Sequence, residues 1–189
     1  MTAAECEGDK SGASPTLRRL CTRDAPAVLA AFTASPDMAR QGDVRTLEDA
    51  ERYVQHMSDR TAGMEGWAIA EGERLVGFVG ISVDRENRSG WVFYWMNLAA
   101  RGRGWTSRAV ATVSDWALHD LGLERLELGH RVNNPASGAV ARAAGFLKEG
   151  TERGKFLVDG ERIDVDTYGR LKSDPWPQHE PVRYEGPTS

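Results

Sequence analysis

Between residues 99 and 107 the chain reads Ala99-Ala100-Arg101-Gly102-Arg103-Gly104-Trp105-Thr106-Ser107, two arginines alternating with two glycines ahead of a helix-forming run. Glycines let the backbone turn tightly and come close to a ligand. The start of the following helix aims unpaired N–H groups and a partial positive charge at one point. The chemistry such a segment suits is the holding of a phosphate or pyrophosphate, with Arg101 and Arg103 adding positive charge beside it. Two familiar phosphate loops do not match. A P-loop ends in Gly-Lys-Ser/Thr, which this segment lacks, and a dinucleotide fingerprint has a third glycine where Ser107 stands. Taken alone, Arg-Gly-Arg-Gly is also what a surface turn with solvated arginines looks like.

A second segment, Asn133-Asn134-Pro135-Ala136-Ser137, interrupts the next apolar run, and Ala144-Gly145-Phe146 follows it. Ser137 stands where its hydroxyl could cap the helix beginning at Ala136. The elements around both segments follow from periodicity. Thr16 to Leu20 is a short strand. Asp24 stands at an N-cap position with Pro26 in the first turn of an Ala-rich helix to about Ala34. Thr46 opens a second helix with Asp49 three residues on, and Leu47, Ala50, Val54 and Met57 recur at helical spacing. Trp67 to Ala70 and Leu75 to Val83 form a hairpin about Glu71-Gly72-Glu73-Arg74.

Trp91 to Leu98 is an aromatic strand, with Trp91, Phe93 and Trp95 on one face and Tyr94 on the other. Those rings are sheet packing or a wall for an apolar or cationic acceptor, which Trp67 and Trp105 could join. A helix from about Thr106 to Leu121 carries a stripe of Ala109, Val110, Val113, Trp116, Ala117 and Leu121 and stops at Gly122. Arg125 to Val132 is a strand, Ala136 to Ala144 a short helix, and Phe146 to Lys148, Lys155 to Val158 and Arg162 to Leu171 complete the sheet. The pattern is α+β: one domain, residues 16–172, with a mostly antiparallel mixed sheet flanked by helices and one strand–helix–strand unit in its middle. Residues 1–15 read as a flexible leader and 173–189, with four prolines, as an extended tail.

Composition bounds the partners. The 189 residues carry 24 Lys and Arg against 28 Asp and Glu, a net charge of −4, which argues against a general nucleic-acid binder. No apolar run is long enough to span a membrane, and the acidic start lacks a signal-peptide core. Two cysteines, Cys6 and Cys21, allow at most one bridge and suit a reduced, cytoplasmic setting. The four histidines show no metal-ligand spacing, so no metal is expected.

A Gly-rich strand–helix start, then a strand ending in Asn-x-Ala-Ser, then Gly-Phe, resembles the GNAT superfamily of acyl-CoA-dependent N-acyltransferases. The resemblance runs from about Leu17 to Leu171. The Asn-Pro-Ala-Ser segment and the closing Val-Asp-Gly-Glu-Arg-Ile-Asp-Val-Asp-Thr-Tyr look like its ribosomal-protein N-terminal acetyltransferase branch. The resemblance implies an acetyl-CoA or other acyl-CoA donor and a primary amine acceptor, either a protein N-terminus or a small molecule. Arg101 and Gly104 match the family loop, and Thr106 departs mildly at its last small position. Backbone N–H groups of Gly102, Arg103, Gly104, Trp105, Thr106 and Ser107 are then expected on the CoA pyrophosphate. Met96 and Leu98 are expected to offer backbone groups to the pantetheine and thioester, Asn134 to hydrogen-bond the pantetheine, and Ser137 to lie near the sulfur as the proton donor.

The family's usual acidic positions are filled here by Trp91, Arg108 and Phe156, so no general base carries over. His130, Asp84, Glu86 and Asp164 are the remaining candidates, each with a structural alternative. A silent CoA-binding sensor or assembly module of the same fold is the competing expectation. Trp176 and Tyr184 in the tail could pack onto the body or onto a neighbouring chain, and with the exposed strand they make a homodimer a further expectation.

Overall fold

The computed structural model describes residues 14–185 except 36, 37 and 39, so the leader as far as Ala13, with Cys6, lies outside the described residues. Strand β1 (Thr16–Arg19) leads through a 3-10 turn into α1 (Ala25–Ala34), followed by α2 (Leu47–Met57). Strands β2 (Met64–Glu71), β3 (Arg74–Asp84) and β4 (Ser89–Met96) form a meander. Then come α3 (Trp105–His119), β5 (Arg125–Arg131), α4 (Pro135–Ala143), β6 (Leu147–Val158), β7 (Glu161–Leu171) and the two-residue β8 (Arg183–Tyr184). Eight strands make one sheet in the order β6-β7-β5-β4-β3-β2-β1-β8. Pairing is antiparallel except for β4 with β5 and β1 with β8.

Period-two alternation divides the core between the two faces of this sheet. Helices α3 and α4 cover one face, packed on Ile69, Val79, Ile81, Leu126 and Leu128. Helices α1 and α2 cover the other, packed on Ala68, Leu75, Phe78 and Trp95. Strand β4 serves both: Val92 and Met96 belong to the α3 side and Trp95 to the α1 side. The aromatic alternation expected for this strand is therefore present.

Helix α2 starts as its sequence suggests. Asp49 N–H donates to Thr46 Oγ1 at 3.2 Å and Thr46 N–H to Asp49 Oδ2 at 2.9 Å, a reciprocal capping box. Its apolar face differs from the expected one, because Leu47 is exposed and Tyr53 takes a buried place beside Ala50 and Val54. Asp24 also departs from expectation. It stands at the N-cap of α1 but does not cap that helix with its side chain, which pairs with Arg18 through contacts of 2.6 and 2.8 Å and accepts from Cys21 N–H at 3.0 Å. Both groups are buried. Burial pushes the Asp24 carboxyl up, but hydrogen bonds from Arg18 and from Cys21 N–H outweigh it and hold it below the usual carboxylate range.

The two short runs expected after Gly145 are one strand. Irregularities at Lys148–Gly150 and Glu152–Phe156 let β6 follow β7 for twelve residues. The proline-rich stretch after Leu171 is extended but packed. Trp176 meets His119 with ring centroids 4.1 Å apart, and His179 Nε2 lies 2.8 Å from Asp115 Oδ2. Val182 is buried with its N–H on Thr112 Oγ1, while Tyr184 packs on Trp67 and donates to Thr112 O at 3.1 Å. Both tail aromatics are thus engaged within the chain. Among the described residues no helix is long and apolar enough to cross a membrane.

Candidate active site

Strand β4 is paired with β3 along its full length, from Ser89 to Met96. On its other edge it meets β5 only from Ser89 to Trp91. Beyond Trp91 the two parallel strands separate, and a cavity of about 530 Å³ opens beside the unpaired half of β4. The 101–107 loop, the start of α4, and Met38, Arg40 and Gln41 from the α1–α2 connection complete its lining.

The loop has the geometry expected of an anion cradle. Gly102 and Gly104 take φ of +78° and +73°, a region that side chains other than glycine rarely enter. A Cβ at either position would meet nothing within 4 Å, so the glycines serve the turn and leave open space above it. Gly104 is the N-cap of α3 and brings no side-chain cap, and no acidic residue lies in the first turn. The first helical hydrogen bond runs from Arg108 N–H to Gly104 O at 3.2 Å. Helix geometry then leaves the N–H groups of Trp105, Thr106 and Ser107 without intrahelical partners, all facing the cavity end.

The arginines do different jobs. Arg101 Nε donates to Met96 O at 3.1 Å, tying the loop to the end of β4. Arg103 pairs with Glu71 at 3.0 Å and lies 4.8 Å over the Trp105 ring. Hydrogen bonds from Arg74 and Arg103 hold the Glu71 carboxyl below its ordinary range. Leu98 departs from the expected set. It is exposed and lines a smaller neighbouring cavity of about 260 Å³, formed with Met96, Asn97 and the alanines at the end of α1. Asn97 Oδ1 is buried there without a hydrogen-bond partner.

At the side wall, Asn134 is the N-cap of α4, its Oδ1 accepting from Ser137 N–H at 3.4 Å. The cap reading of Ser137 is therefore displaced by Asn134. Ser137 Oγ instead lies 2.7 Å from the Tyr94 hydroxyl, and the same hydroxyl is 3.1 Å from Ser137 O. Burial pushes the Tyr94 phenol up to about 12. Sequence reading placed Tyr94 on its own face of β4 but had no means of pairing it with a residue 43 positions away.

Among the described residues lining this cavity there is no carboxylate and no histidine. His130 is packed beneath α4: its Nδ1 is 2.9 Å from Arg131 O and its Nε2 3.4 Å from the Tyr168 hydroxyl. A Cβ on Gly138 would lie 2.7 Å from that Nε2, so the glycine lets the helix settle on the ring. Asp84 accepts from Asn87 in a turn, and Asp164 accepts from Gly154 N–H in the β6 irregularity. Arg108 pairs with Glu180, Phe156 lies under Arg131, and Trp91 rests against Gly129. Trp67 is a core residue and no part of an acceptor wall, whereas Trp105 and Trp95 do line the cavity. Among the described residues no group of three or more His, Cys, Asp or Glu could hold a metal ion.

The residues fit a CoA thioester. An uncapped helix start with open space above two glycines suits the pyrophosphate. The unpaired edge of β4 suits the amide groups of the pantetheine arm. Comparison with known proteins agrees. The family described as "Acetyltransferase (GNAT) domain" matches residues 16–147. The Bacillus subtilis protein named "Probable N-acetyltransferase YjcK" is 30% identical over 143 residues, covering 72% of this chain and 79% of that protein. The Escherichia coli ribosomal-protein-serine acetyltransferase is 27% identical over 131 residues, covering 68% and 73%. A structure of RimL, a ribosomal L7/L12 alpha-N-protein acetyltransferase in complex with coenzyme A, superposes with a TM-score of 0.75. It is 22% identical, covers 84% of this chain and 94% of that one, and so speaks to the fold alone. The chain belongs to the GNAT acetyltransferase family, in the branch of the ribosomal-protein acetyltransferases, and is an acyl-CoA-dependent N-acyltransferase.

Proposed function

We propose that the protein transfers an acetyl group from acetyl-CoA to the amino terminus of a protein, with the cavity beside β4 as the site of transfer. The observation that carries this reading is the separation of β4 from β5 next to the uncapped start of α3. Backbone N–H groups from Gly102 to Ser107 bind the pyrophosphate, helped by the dipole of α3. Met96 offers its N–H to the donor, its carbonyl being engaged by Arg101. Asn134 holds the start of α4 in place and presents its amide N–H groups to the pantetheine. Acetyl-CoA supplies the activated acyl group as a thioester.

The chain's own chemistry is orientation and proton supply. Ser137 is the hydroxyl on the cavity wall that donates a proton to the departing sulfur. Among the described residues no lining group serves as a general base, so on this reading the amine reaches the site neutral or loses its proton to water. The relatives' names support a protein acceptor, since the Escherichia coli protein is a ribosomal-protein acetyltransferase. A cytoplasmic location accords with such an acceptor.

The pH profile of kcat/KM tests the acceptor class. With no enzyme base, the profile follows the acceptor: an α-amino group has an ordinary pKa of about 7.7–8.0, a lysine-type alkyl amine one of about 10.4. For a peptide amino terminus, log kcat/KM rises with unit slope and levels near pH 8. Efficient turnover of alkyl amines but not of peptides, with a rise continuing past pH 9, would assign a small-molecule acceptor instead.

A further inference from the structure

The Tyr94 hydroxyl is aimed at two atoms of one residue, Ser137 Oγ at 2.7 Å and Ser137 O at 3.1 Å. A phenol has one proton and can serve only one of them at a time. If it goes to the carbonyl, the Ser137 proton must point at Tyr94 Oη and away from the cavity. If it goes to Oγ, the Ser137 proton is released toward the cavity. Burial pushes the phenol up to about 12, so Tyr94 remains a protonated donor at any working pH. Both residues line the cavity, one from β4 and one from α4, on opposite sides of the gap left by the separation of β4 from β5.

We propose that Tyr94 is a positioning residue for acyl transfer, donating its hydroxyl proton to Ser137 Oγ so that the Ser137 proton points at the leaving sulfur. This rests on Ser137 being the proton donor. In the step itself the Ser137 Oγ–H bond breaks as the S–H bond of the leaving thiol forms. The Tyr94 hydrogen bond stabilises the negative charge that builds on Oγ. The attacking nitrogen loses one proton on becoming an amide, and that proton returns to Ser137 through water, so the count closes. Without the phenol, Ser137 keeps its place in α4 but neither its orientation nor its support.

Three variants of the full-length protein separate the two claims: Tyr94→Phe, Ser137→Ala and the double change. Kinetics are read with acetyl-CoA and a short peptide carrying a free amino terminus. Tyr94→Phe lowers kcat about 10-fold with KM for acetyl-CoA unchanged within about twofold, a smaller loss than that for a direct proton donor. In the Ser137→Ala background the same change has no further effect on kcat. Equal kcat in Ser137→Ala and wild type would sink the proton-donor reading. A loss in Ser137→Ala with Tyr94→Phe unaffected, or with additive losses, would overturn the role of Tyr94 alone.

A readout independent of turnover uses protein labelled with 13C at tyrosine Cζ. Adding free CoA is expected to move the Tyr94 resonance in wild type and not in Ser137→Ala. An identical response in both proteins, or none in wild type, contradicts the linkage.

Discussion

The two ends of the cavity are built from different materials. The end formed by residues 101–107 presents backbone: two glycines at positive φ, a helix start with no cap, and arginine side chains tied back to Met96 and Glu71. Elsewhere the lining is side chains, Met38, Arg40 and Gln41 from the α1–α2 connection together with Tyr94 and Trp95. A backbone cradle recognises a charged group common to every acyl-CoA and tolerates side-chain change. A side-chain wall recognises what differs between acceptors and can be altered residue by residue. Under the proposed function the first end serves the donor and the second the acceptor.

The comparison is broken most severely at Gly104. Gly104→Pro removes an N–H and demands φ near −65° where the chain has +73°. Affinity for CoA is expected to fall about 100-fold or more, the equivalent of losing two charge-assisted hydrogen bonds, with a far-ultraviolet spectrum like wild type. Calorimetric titration with CoA reads this directly.

Removal of residues 173–189 touches neither end but undermines α3, which supports the cradle. The contacts of buried Val182, worth about 1.5–3 kcal/mol, and of half-buried Tyr184 go with the segment, so the truncated protein should melt several degrees lower. A melting temperature equal to wild type would show that the packed segment contributes nothing. Asp24→Asn is a second stability test away from the cavity. It leaves buried Arg18 without its charged partner, for an expected cost of about 3–5 kcal/mol in a denaturant melt.

The same pair gives a pH dependence with a definite sign. The folded Asp24 carboxyl is held below its ordinary value of 3.8, so its contribution is full above that pH and lost as pH falls through the lower, folded value. Acid unfolding of wild type should steepen below about pH 4. Asp24→Asn should lack that component.

The finest distinction concerns the side-chain wall. Gln41→Ala is expected to raise KM for a peptide acceptor about 5-fold while leaving CoA affinity within about twofold, an effect of roughly 1 kcal/mol. A matching loss of CoA affinity would mean that the two ends are not separate in function.

How much of this was legible beforehand depended on whether an interaction was local in the chain. The 101–107 loop and the Asn134–Ser137 segment are contiguous, and turn and cap chemistry act over a few residues, so both could be read directly. Tyr94 and Ser137 meet only because the sheet brings β4 under α4, and no local pattern carries that information. The wall at Met38, Arg40 and Gln41 has no periodicity to signal it. Asp24 shows the opposite error: a good capping residue in the right place was taken by Arg18, a tertiary partner that outcompeted the local one. The C-terminal stretch left its packing open for another reason. Its prolines remove helix and strand signals, yet Val182 and Tyr184 find burial against α3 without needing either.

Backbone amide exchange with and without CoA tests the central claim most directly. The account predicts slowed exchange confined to amides 96–107 and the start of α4 near 135–140, with α2, β6 and β7 unchanged. Protection elsewhere, with the 102–107 amides exchanging as in the free protein, would mean that the cavity beside β4 is not where CoA binds.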